Sequence, residues 1–403
     1  MTCRILSLDG GGTWGVIEAH ALIEIYGAAM AGQDLLQRFD LVAGCSAGSI
    51  ILAGLVENKT LGEILLLFEQ EANRRAIFSP TTNPGDKALQ NLTGIGPKYS
   101  AVAKLPALER LLPRNGNKPL RQVMAGIMGP AGGQVHLLII GFDYDRNRAA
   151  FFRSAAAGGA AWGNGAPAEL SLAATVHAST NAPLNYFDAP ARLPGDADRY
   201  WDGAIGGHNN PALAAAIEAV TLGYRPDELR ILSIGSGTVR LPLAGVGVQS
   251  SPYLAPRPAS SITSDLAKLA TCILDDPPDF ATFAAHVLTG GGAGLPAGAQ
   301  SRVVRLSPLV SPVSAGRAND GGTVWTAPQN WTVAQFEYLC GLPMDVITQA
   351  DMAYIEDWCS LWIGGVALNE PIRMDGQTLE AEIGYAHFQD AVAAWRTLES
   401  ESS

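Results

Sequence analysis

The chain has 403 residues, 47% of them hydrophobic and 16% charged, a composition typical of folded globular proteins and not of disordered ones. Its formal net charge of -11 disfavours binding to nucleic acid and gives no overall attraction to anionic lipid. No signal peptide precedes the first strand, and no apolar run approaches the ~20 residues of a membrane span, so we expect a cytoplasmic protein.

The predicted elements alternate between strands and helices along the chain. Apolar strand patterns occupy residues 4–9, 39–43, 135–142 and 229–234. Helical apolar spacing occupies residues 14–30, 50–56 and 211–222. This alternation predicts an α/β fold with a largely parallel sheet.

A basic stretch lies between residues 98 and 121, where the only acidic residue is Glu109. Its basic residues are Lys98, Lys104, Arg110, Arg114, Lys118 and Arg121. We interpret this stretch as the solvated face of a helix and keep a local membrane contact as the alternative.

The character of the sequence changes after residue 289. Residues 289–300 consist mostly of Gly, Ala and Pro, and residues 307–330 also have a loop-forming composition. Further on, apolar residues between Val346 and Trp362 fall on one helical face, which predicts core packing. We therefore expect a boundary near residue 290 and a loop-rich, helical extension over residues 291–403.

Ser46 lies within the sequence Gly-Cys-Ser-Ala-Gly at residues 44–48, between a predicted strand and a predicted helix. Small residues on both sides of the serine allow a sharp turn that projects its hydroxyl. A GxSxG sequence also occurs by chance in a chain this rich in glycine, and a plain strand-to-helix turn is the alternative. The strand and helix around it favour a nucleophilic serine.

Three consecutive glycines, Gly10, Gly11 and Gly12, follow the first predicted strand. Glycine amides at a helix start can converge on the oxyanion that forms when an ester carbonyl is attacked. Gly10, Gly12 and Gly15 also fit the dinucleotide-binding pattern, with Asp34 as a ribose ligand, so a Rossmann oxidoreductase is an alternative. No lysine follows the glycines as a phosphate-binding loop requires, which disfavours nucleotide hydrolysis.

Asp202 ends a short aromatic strand and precedes Gly203, which permits a turn that leaves the carboxylate outside the sheet. An ionised aspartate in contact with Ser46 could accept its proton directly. An isolated Asp-Gly pair predicts an ordinary turn. The interpretation of Asp202 as a base therefore depends on the two other motifs.

These three motifs, in this order, resemble those of the patatin-like phospholipase family. They are DGGGTWG at residues 9–15, GCSAG at residues 44–48 and DGA at residues 202–204. The similarity extends to residues 179–187, 208–213 and 231–237. It therefore covers roughly residues 4–240 and leaves the remainder poorly matched.

The resemblance implies a patatin-like three-layer fold with a mostly parallel central sheet flanked by helices, and a catalytic domain over residues 1–290. It implies a Ser46-Asp202 dyad without a catalytic histidine and an oxyanion hole formed by Gly10, Gly11 and Gly12. The implied reaction is hydrolysis of fatty acyl esters in glycerophospholipids at a membrane surface, without a metal or cofactor. Trp14 stands where the family usually has Arg, so the local electrostatics of the glycine loop differ from the family pattern.

A conventional triad with a histidine base is a further alternative, because His177 and His208 lie close to the motifs in sequence. We favour structural roles for both, since His208 follows Asp202 by only a short segment and precedes a predicted helix. The 5 cysteines lack paired spacing and predict neither a disulfide framework nor a zinc site.

Two further functional alternatives concern regulation and loss of activity. Some bacterial patatin-like enzymes that this chain resembles are lipases activated by cyclic nucleotides in antiphage defence, and such an activator is a possible partner here. A catalytically silent storage or interaction protein that retains the fold is the other alternative.

Overall fold

The structure, a computed structural model, describes residues 2–93, 96–154, 164–165, 169–243, 251–256, 260–292, 301–317 and 323–401. The strands are β1 (Cys3–Leu8), β2 (Leu41–Cys45), β3 (His136–Asp143), β4 (Arg148–Arg153), β5 (Asn164–Gly165), β6 (Ala191–Arg192), β7 (Arg199–Asp202), β8 (Leu229–Ile234), β9 (Thr238–Val239), β10 (Val303–Leu306), β11 (Leu309–Val310), β12 (Val313–Arg317), β13 (Thr323–Thr326), β14 (Arg373–Met374) and β15 (Ala381–Ile383). The α-helices are α1 (Val16–Tyr26), α2 (Gly32–Leu36), α3 (Ala47–Val56), α4 (Leu61–Glu69), α5 (Glu71–Ile77), α6 (Pro84–Thr93), α7 (Ala101–Leu111), α8 (Leu120–Val123), α9 (Leu172–Ser179), α10 (Ala212–Thr221), α11 (Ile262–Leu288), α12 (Val333–Cys340), α13 (Gln349–Ile363) and α14 (Phe388–Ser400). Short 3-10 turns span Gly12–Gly15, Gly203–Gly206 and Pro226–Glu228.

A central sheet organises the fold. Within the described residues its strand order is β10-β8-β1-β2-β3-β4-β5, with β7 also paired to β3 and β6 paired to β7. Strands β10, β8, β1, β2 and β3 are parallel, whereas β4 and β7 run antiparallel to β3. The predicted α/β fold with a mostly parallel sheet is confirmed.

Hydrophobic side chains on the two faces of the sheet belong to two separate cores. In β1, Leu6 and Leu8 pack in one core, whereas Cys3 and Ile5 pack in the other. Both sets are fully buried because helices cover both faces, and each buried leucine or isoleucine contributes about 1.5–3 kcal/mol. Successive side chains of a strand point to opposite faces of the sheet, so the sheet has an apolar core on each face and lies between two layers of helices, as predicted.

Two predicted segments differ from the observed elements. The helix expected over residues 14–30 begins with the 3-10 turn Gly12–Gly15 and ends at Tyr26, because Gly27 adopts a positive φ of 88°. Residues 307–330, expected to be loops, contain the antiparallel hairpin of β12 and β13. The exposed residues of β12 lack the apolar alternation that marks a half-buried strand, so the hairpin had no clear sequence signal.

Residues after the predicted boundary take part in the same sheet and core. Strand β10 pairs in parallel with β8, and Trp358 of α13 lies in the core that contains Leu6. Ile355 and Trp362 are buried beside Trp358, as predicted for the apolar stripe. The boundary near residue 290 stays a prediction, and part of the predicted 289–300 loop lies outside the described residues. Among the described helices, none is both long and apolar enough to cross a bilayer.

Candidate active site

Ser46 occupies a sharp turn between β2 and α3. Its φ of 46° and ψ of -117° are rare for a residue other than glycine and indicate a backbone held in place by its surroundings. A Cβ atom at Gly48 would lie 2.3 Å from the carbonyl oxygen of Leu8, so the turn needs glycine there. The Ser46 amide donates to Ser179 Oγ at 2.9 Å, which fixes the turn against α9.

The sheet register places Asp202 next to Ser46. Cys45, the last residue of β2, pairs with Ile140 of β3, and the next residue of β3, Gly141, pairs with Asp202 at the end of β7. Because β4 occupies the other edge of β3, strand β7 continues along the same edge as β2, and Asp202 lies directly beyond the end of β2, next to Ser46. The Ser46 side chain is close enough to the Asp202 carboxylate to lower the pKa of that group.

The Asp202 carboxylate is buried, and its environment sets its protonation. Burial raises its pKa above the ordinary value. Four interactions oppose this effect, in order of size: hydrogen bonds from Ser46 and from the Ala204 amide (2.9 Å), the charge of Lys104, and the Cys45 thiol at 3.7 Å. The result is a carboxylate that binds a proton more readily than a solvated aspartate does, as a general base requires.

The glycine loop packs directly against Ser46. A Cβ atom at Gly10 would lie 3.0 Å from Ser46 Cβ and 2.2 Å from Asn209 Oδ1, so no larger residue fits. The Gly10 amide donates to the Asn209 carbonyl at 2.9 Å. The amides of Gly11 and Gly12 have no acceptor among the described residues, so they are the loop donors that a ligand can use.

The chain after α12 holds the other end of this loop. The Met344 carbonyl accepts the Thr13 amide at 2.8 Å and the Thr13 hydroxyl at 3.0 Å. Trp14 is buried, and its Nε1 donates to the Pro343 carbonyl at 3.1 Å. Trp14 therefore supports the loop by packing and one hydrogen bond, where a charged residue would need a buried counter-charge.

A buried ion-pair network anchors the start of the loop. Arg305 of β10 lies 2.7 Å from Asp9 and 3.0 Å from Glu370, and it also donates to Ser233 Oγ at 2.9 Å. Burial raises the pKa of Asp9 to about 6, while the charge of Arg305 opposes that shift. Sequence reasoning missed this network, although a lone arginine inside the apolar strand β10 was a usable signal of a buried charge pair.

The predicted basic stretch is not one solvated helix face. Lys104 is fully buried on α7 and donates to Asn181 Oδ1 at 3.0 Å, so the interpretation is wrong for this residue. Lys98 pairs with Asp345 at 2.9 Å, and Arg121 pairs with Glu169 at 2.8 Å. Arg110, Arg114 and Lys118 are exposed, as the solvated-face interpretation predicts.

Neither histidine near the motifs contacts the candidate dyad among the described residues. His177 is buried in α9, and burial together with the charge of Lys104 lowers its pKa well below the ordinary value. His208 packs edge-on against Phe151, with ring centroids 5.4 Å apart. Both therefore act as packing residues, as we favoured from the sequence. No cluster of three or more potential metal ligands occurs in the described part of the chain.

Two spaces meet at Ser46. The larger is an open cavity of about 1130 Å³ that reaches Ser46, Asp202 and the glycine loop. Its walls include the apolar side chains of Phe142, Trp201 and Ile273. The smaller, of about 40 Å³, is lined mainly by apolar side chains. These are contributed by Ile50, Leu67, Phe68, Ile77, Phe78, Phe187 and Met344, among others.

The strand-turn-helix arrangement at Ser46 defines an α/β protein with the backbone geometry of serine hydrolases. A family model described as patatin-like phospholipase matches residues 6–216, a range that includes Ser46, Asp202 and the glycine loop. The chain therefore belongs to the patatin-like phospholipase family, and the resemblance seen in the sequence is confirmed. Membership of this family favours the hydrolase interpretation of the glycine loop over the dinucleotide-binding alternative.

Relatives match over short stretches. The chain is 39% identical over 90 residues to a cUMP-AMP-activated phospholipase of Escherichia coli, covering 22% of this chain and 27% of that protein. It is 34% identical over 73 residues to a cGAMP-activated phospholipase of Pseudomonas aeruginosa, covering 18% of this chain and 21% of that protein. It is 41% identical over 61 residues to an intracellular phospholipase A2 of Caenorhabditis elegans, covering 15% of this chain and 6% of that protein. The matches thus span about a quarter or less of each relative.

Among solved structures, VipD from Legionella pneumophila aligns with a TM-score of 0.34 at 13% identity, covering 88% of this chain and 67% of that chain. The type III effector ExoU aligns with a TM-score of 0.22 at 17% identity, covering 44% of this chain and 39% of that chain.

Proposed function

We propose that this protein is a serine acyl hydrolase of the phospholipase A type that cleaves fatty acyl esters of glycerophospholipids at a membrane surface. The observation that carries the proposal is the position of Ser46 next to the buried Asp202, both of which line a cavity whose walls are largely apolar. Family membership supports the same chemistry.

In the first half-reaction, Asp202 accepts the Ser46 proton as Oγ attacks the ester carbonyl carbon. The C=O π bond breaks, and the negative charge collects on the former carbonyl oxygen. When this tetrahedral intermediate collapses, the ester C–O bond breaks and the lysolipid leaves with the proton that Asp202 returns. An acyl group then remains bound to Ser46.

In the second half-reaction, Asp202 accepts a proton from water as that water attacks the acyl-enzyme. Collapse of the second tetrahedral intermediate releases the fatty acid and returns the proton to Ser46 Oγ. No histidine takes part, so Asp202 serves as both base and acid, and its raised pKa suits both roles.

We assign the oxyanion donors within the predicted glycine loop to Gly11 and Gly12. Their amides have no acceptor among the described residues, whereas the Gly10 amide already donates to Asn209. The Gly10 carbonyl accepts from Ser236 Oγ at 2.8 Å and from Asn209 Nδ2 at 3.2 Å. Gly10 thus serves the site by close approach to Ser46 and by fixing the loop.

Fatty-acid release from phosphatidylcholine vesicles tests the proposal, with EDTA present throughout. Ser46→Ala and Asp202→Asn should each lose at least about 10³-fold in rate, because each removes a reacting group. Asp34→Asn is the matched control: it removes a solvent-exposed carboxylate and should retain full activity. Equal activity of all four proteins would refute the assignment of Ser46 and Asp202.

Activation by a cyclic nucleotide is the second candidate, supported by the similarity to a cUMP-AMP-activated phospholipase and to a cGAMP-activated phospholipase. The experiment is the same vesicle assay with each nucleotide added. A strong increase in the Ser46-dependent rate supports regulation, whereas an unchanged rate indicates that neither nucleotide activates the enzyme.

A silent storage or interaction protein is the remaining alternative. A fluorophosphonate probe reacts only with an activated serine, so labelling of wild type but not of Ser46→Ala would exclude this alternative. No labelling of the folded wild-type protein, together with no fatty-acid release, would favour it.

A further inference from the structure

Leu184 adopts a backbone conformation that leucine rarely takes. Its φ is 63°, in the left-handed region that favours glycine, asparagine and aspartate. Its side chain is 70% exposed and lines the outer part of the cavity that reaches Ser46. The fold therefore holds a leucine in a strained conformation without burying its side chain, which points to a contact made outside the chain.

Three other exposed apolar side chains line the same cavity. Tyr144, directly after β3, is 45% exposed, Val239 of β9 is 43% exposed, and Leu274 of α11 is 37% exposed. Together with Leu184 they come from four separate segments of the chain. We call these four residues the apolar rim. An apolar surface at the entrance of a ligand cavity is typical of an interaction site.

Two ion pairs lie near the rim. Arg240, next to Val239, pairs with Asp279 of α11, and Arg199, whose guanidinium lies 4.7 Å from the Tyr144 ring centroid, pairs with Asp145. The whole chain carries a net charge of -11. Neither the rim nor the chain as a whole thus attracts an anionic lipid surface.

We infer that the apolar rim docks the protein onto an electrically neutral, zwitterionic lipid surface, with Leu184 inserted among the lipids. The rim is continuous with the cavity that leads to Ser46, so docking brings a lipid ester to the open end of the site. This inference rests on the proposed function, since it gives that reaction its route of substrate entry.

The test measures vesicle binding without turnover. The Ser46→Ala protein is sedimented with vesicles of pure phosphatidylcholine, and its partitioning is compared with that of Ser46→Ala/Leu184→Asn. We expect about a 10-fold loss of partitioning in the double variant, because burial of the leucine side chain is lost. Asparagine adopts positive φ readily, so the variant should fold with unchanged or higher Tm. A Val102→Asn change, at an exposed valine that does not line the cavity, is the control and should partition normally.

A second substitution keeps the test independent of the Leu184 backbone. Leu274→Gln, in the same Ser46→Ala background, should also weaken partitioning, and added salt should change the binding of neither protein. No binding by Ser46→Ala itself, binding by both rim variants as strong as that of Ser46→Ala, or stronger binding to anionic vesicles would each overturn the inference. A rim variant that changes the oligomeric mass but not vesicle binding would instead identify a protein interface.

Failure of the docking inference can be distinguished from failure of the proposed function. Hydrolysis of a soluble short-chain p-nitrophenyl ester requires Ser46 but no lipid surface. Wild type should cleave it and Ser46→Ala should not, and Leu184→Asn should keep a larger fraction of wild-type activity on this ester than on vesicles. If Leu184→Asn loses activity on vesicles but retains it on the soluble ester, the result supports docking through the apolar rim. If wild type does not hydrolyse the soluble ester, the result counts against the proposed chemistry alone.

Discussion

Lys104 donates a hydrogen bond to Asn181 at 3.0 Å while its entire side chain is excluded from solvent. The Asn181 carbonyl accepts the Asp202 amide at 3.0 Å, and the Phe187 ring centroid lies 3.9 Å from Lys104 Nζ. Burial lowers the pKa of Lys104 well below its ordinary value, and the negative charge of Asp202 opposes that shift. In return, burial raises the pKa of Asp202 and the charge of Lys104 lowers it.

Replacement of Lys104 by methionine should move the acid limb of the kcat/KM profile to higher pH. Asp202 must be ionised to act as a base, so activity falls as pH decreases through its pKa. Loss of the nearby positive charge raises that pKa further. The profile is measured with a soluble ester.

Lys118→Met, which removes an exposed lysine, is the control and should leave the profile unchanged. Methionine has a volume similar to that of lysine, so we expect Lys104→Met to change Tm little. An unshifted acid limb in folded Lys104→Met protein would contradict the electrostatic coupling of Lys104 to Asp202.

Asp202→Asn should be more stable than wild type at high pH and should lose this advantage at low pH. Because burial raises the native-state pKa of Asp202, the native protein holds this proton at pH values where the unfolded chain has released it. The stability that Asp202 contributes is therefore present at low pH and is lost as pH rises through its native-state pKa. Asparagine remains neutral throughout. Thermal unfolding from pH 4 to pH 8 checks this, and a Tm difference independent of pH would contradict it.

Gly12→Ala should remove activity and lower stability. Gly12 has a φ of 60°, and a Cβ atom there would lie 2.3 Å from the Met344 carbonyl oxygen. The conformation alone costs about 1–2 kcal/mol, and displacement of the loop should reduce turnover about 10²-fold or more. Gly133→Ala, where a Cβ atom meets nothing within 4 Å, should be neutral in both measurements. Equal turnover of the two variants would argue against the glycine loop as the oxyanion hole.

Local sequence patterns predicted the strands, the turn and the helix that carry Ser46, because these depend on neighbours in the chain. Strand β8 spans the predicted residues 229–234, and β2 and α3 flank Ser46 as expected. Family motifs also singled out Asp202, and the register of β7 on β3 then places it beside Ser46. A short strand with an Asp-Gly turn would not by itself have identified that position.

Local sequence patterns do not predict contacts between segments that lie far apart in the chain. Lys104 was read as part of a solvated face, since only the packing of α7 on α9 determines that it is buried. The hydrogen bonds from the glycine loop to Pro343 and Met344 join segments about 330 residues apart. Such pairings depend on tertiary packing, which overrides the local preference for solvating a charged side chain.

Arg305→Met should destabilise the protein and reduce its activity, although Arg305 contacts neither Ser46 nor Asp202 among the described hydrogen bonds. The change leaves Asp9 and Glu370 buried without their partner, which typically costs about 3–5 kcal/mol. Asp9 begins the glycine loop, and its carbonyl accepts the Gly48 amide at 2.9 Å, so the loss also disturbs the turn at Ser46.

The loss of stability caused by Arg305→Met should become smaller as pH falls. Burial already raises the pKa of Asp9 to about 6, and removal of Arg305 raises it further. Protonation then relieves the unpaired charge, so the difference in Tm between wild type and Arg305→Met should shrink from pH 8 to pH 5. Arg373→Met is the control, because it breaks an exposed pair with Glu382 and should change Tm little at any pH. If both variants lose the same stability, the Arg305 network does not anchor the loop. If only Arg305→Met lowers Tm strongly, the chain beyond residue 300 is part of the catalytic fold.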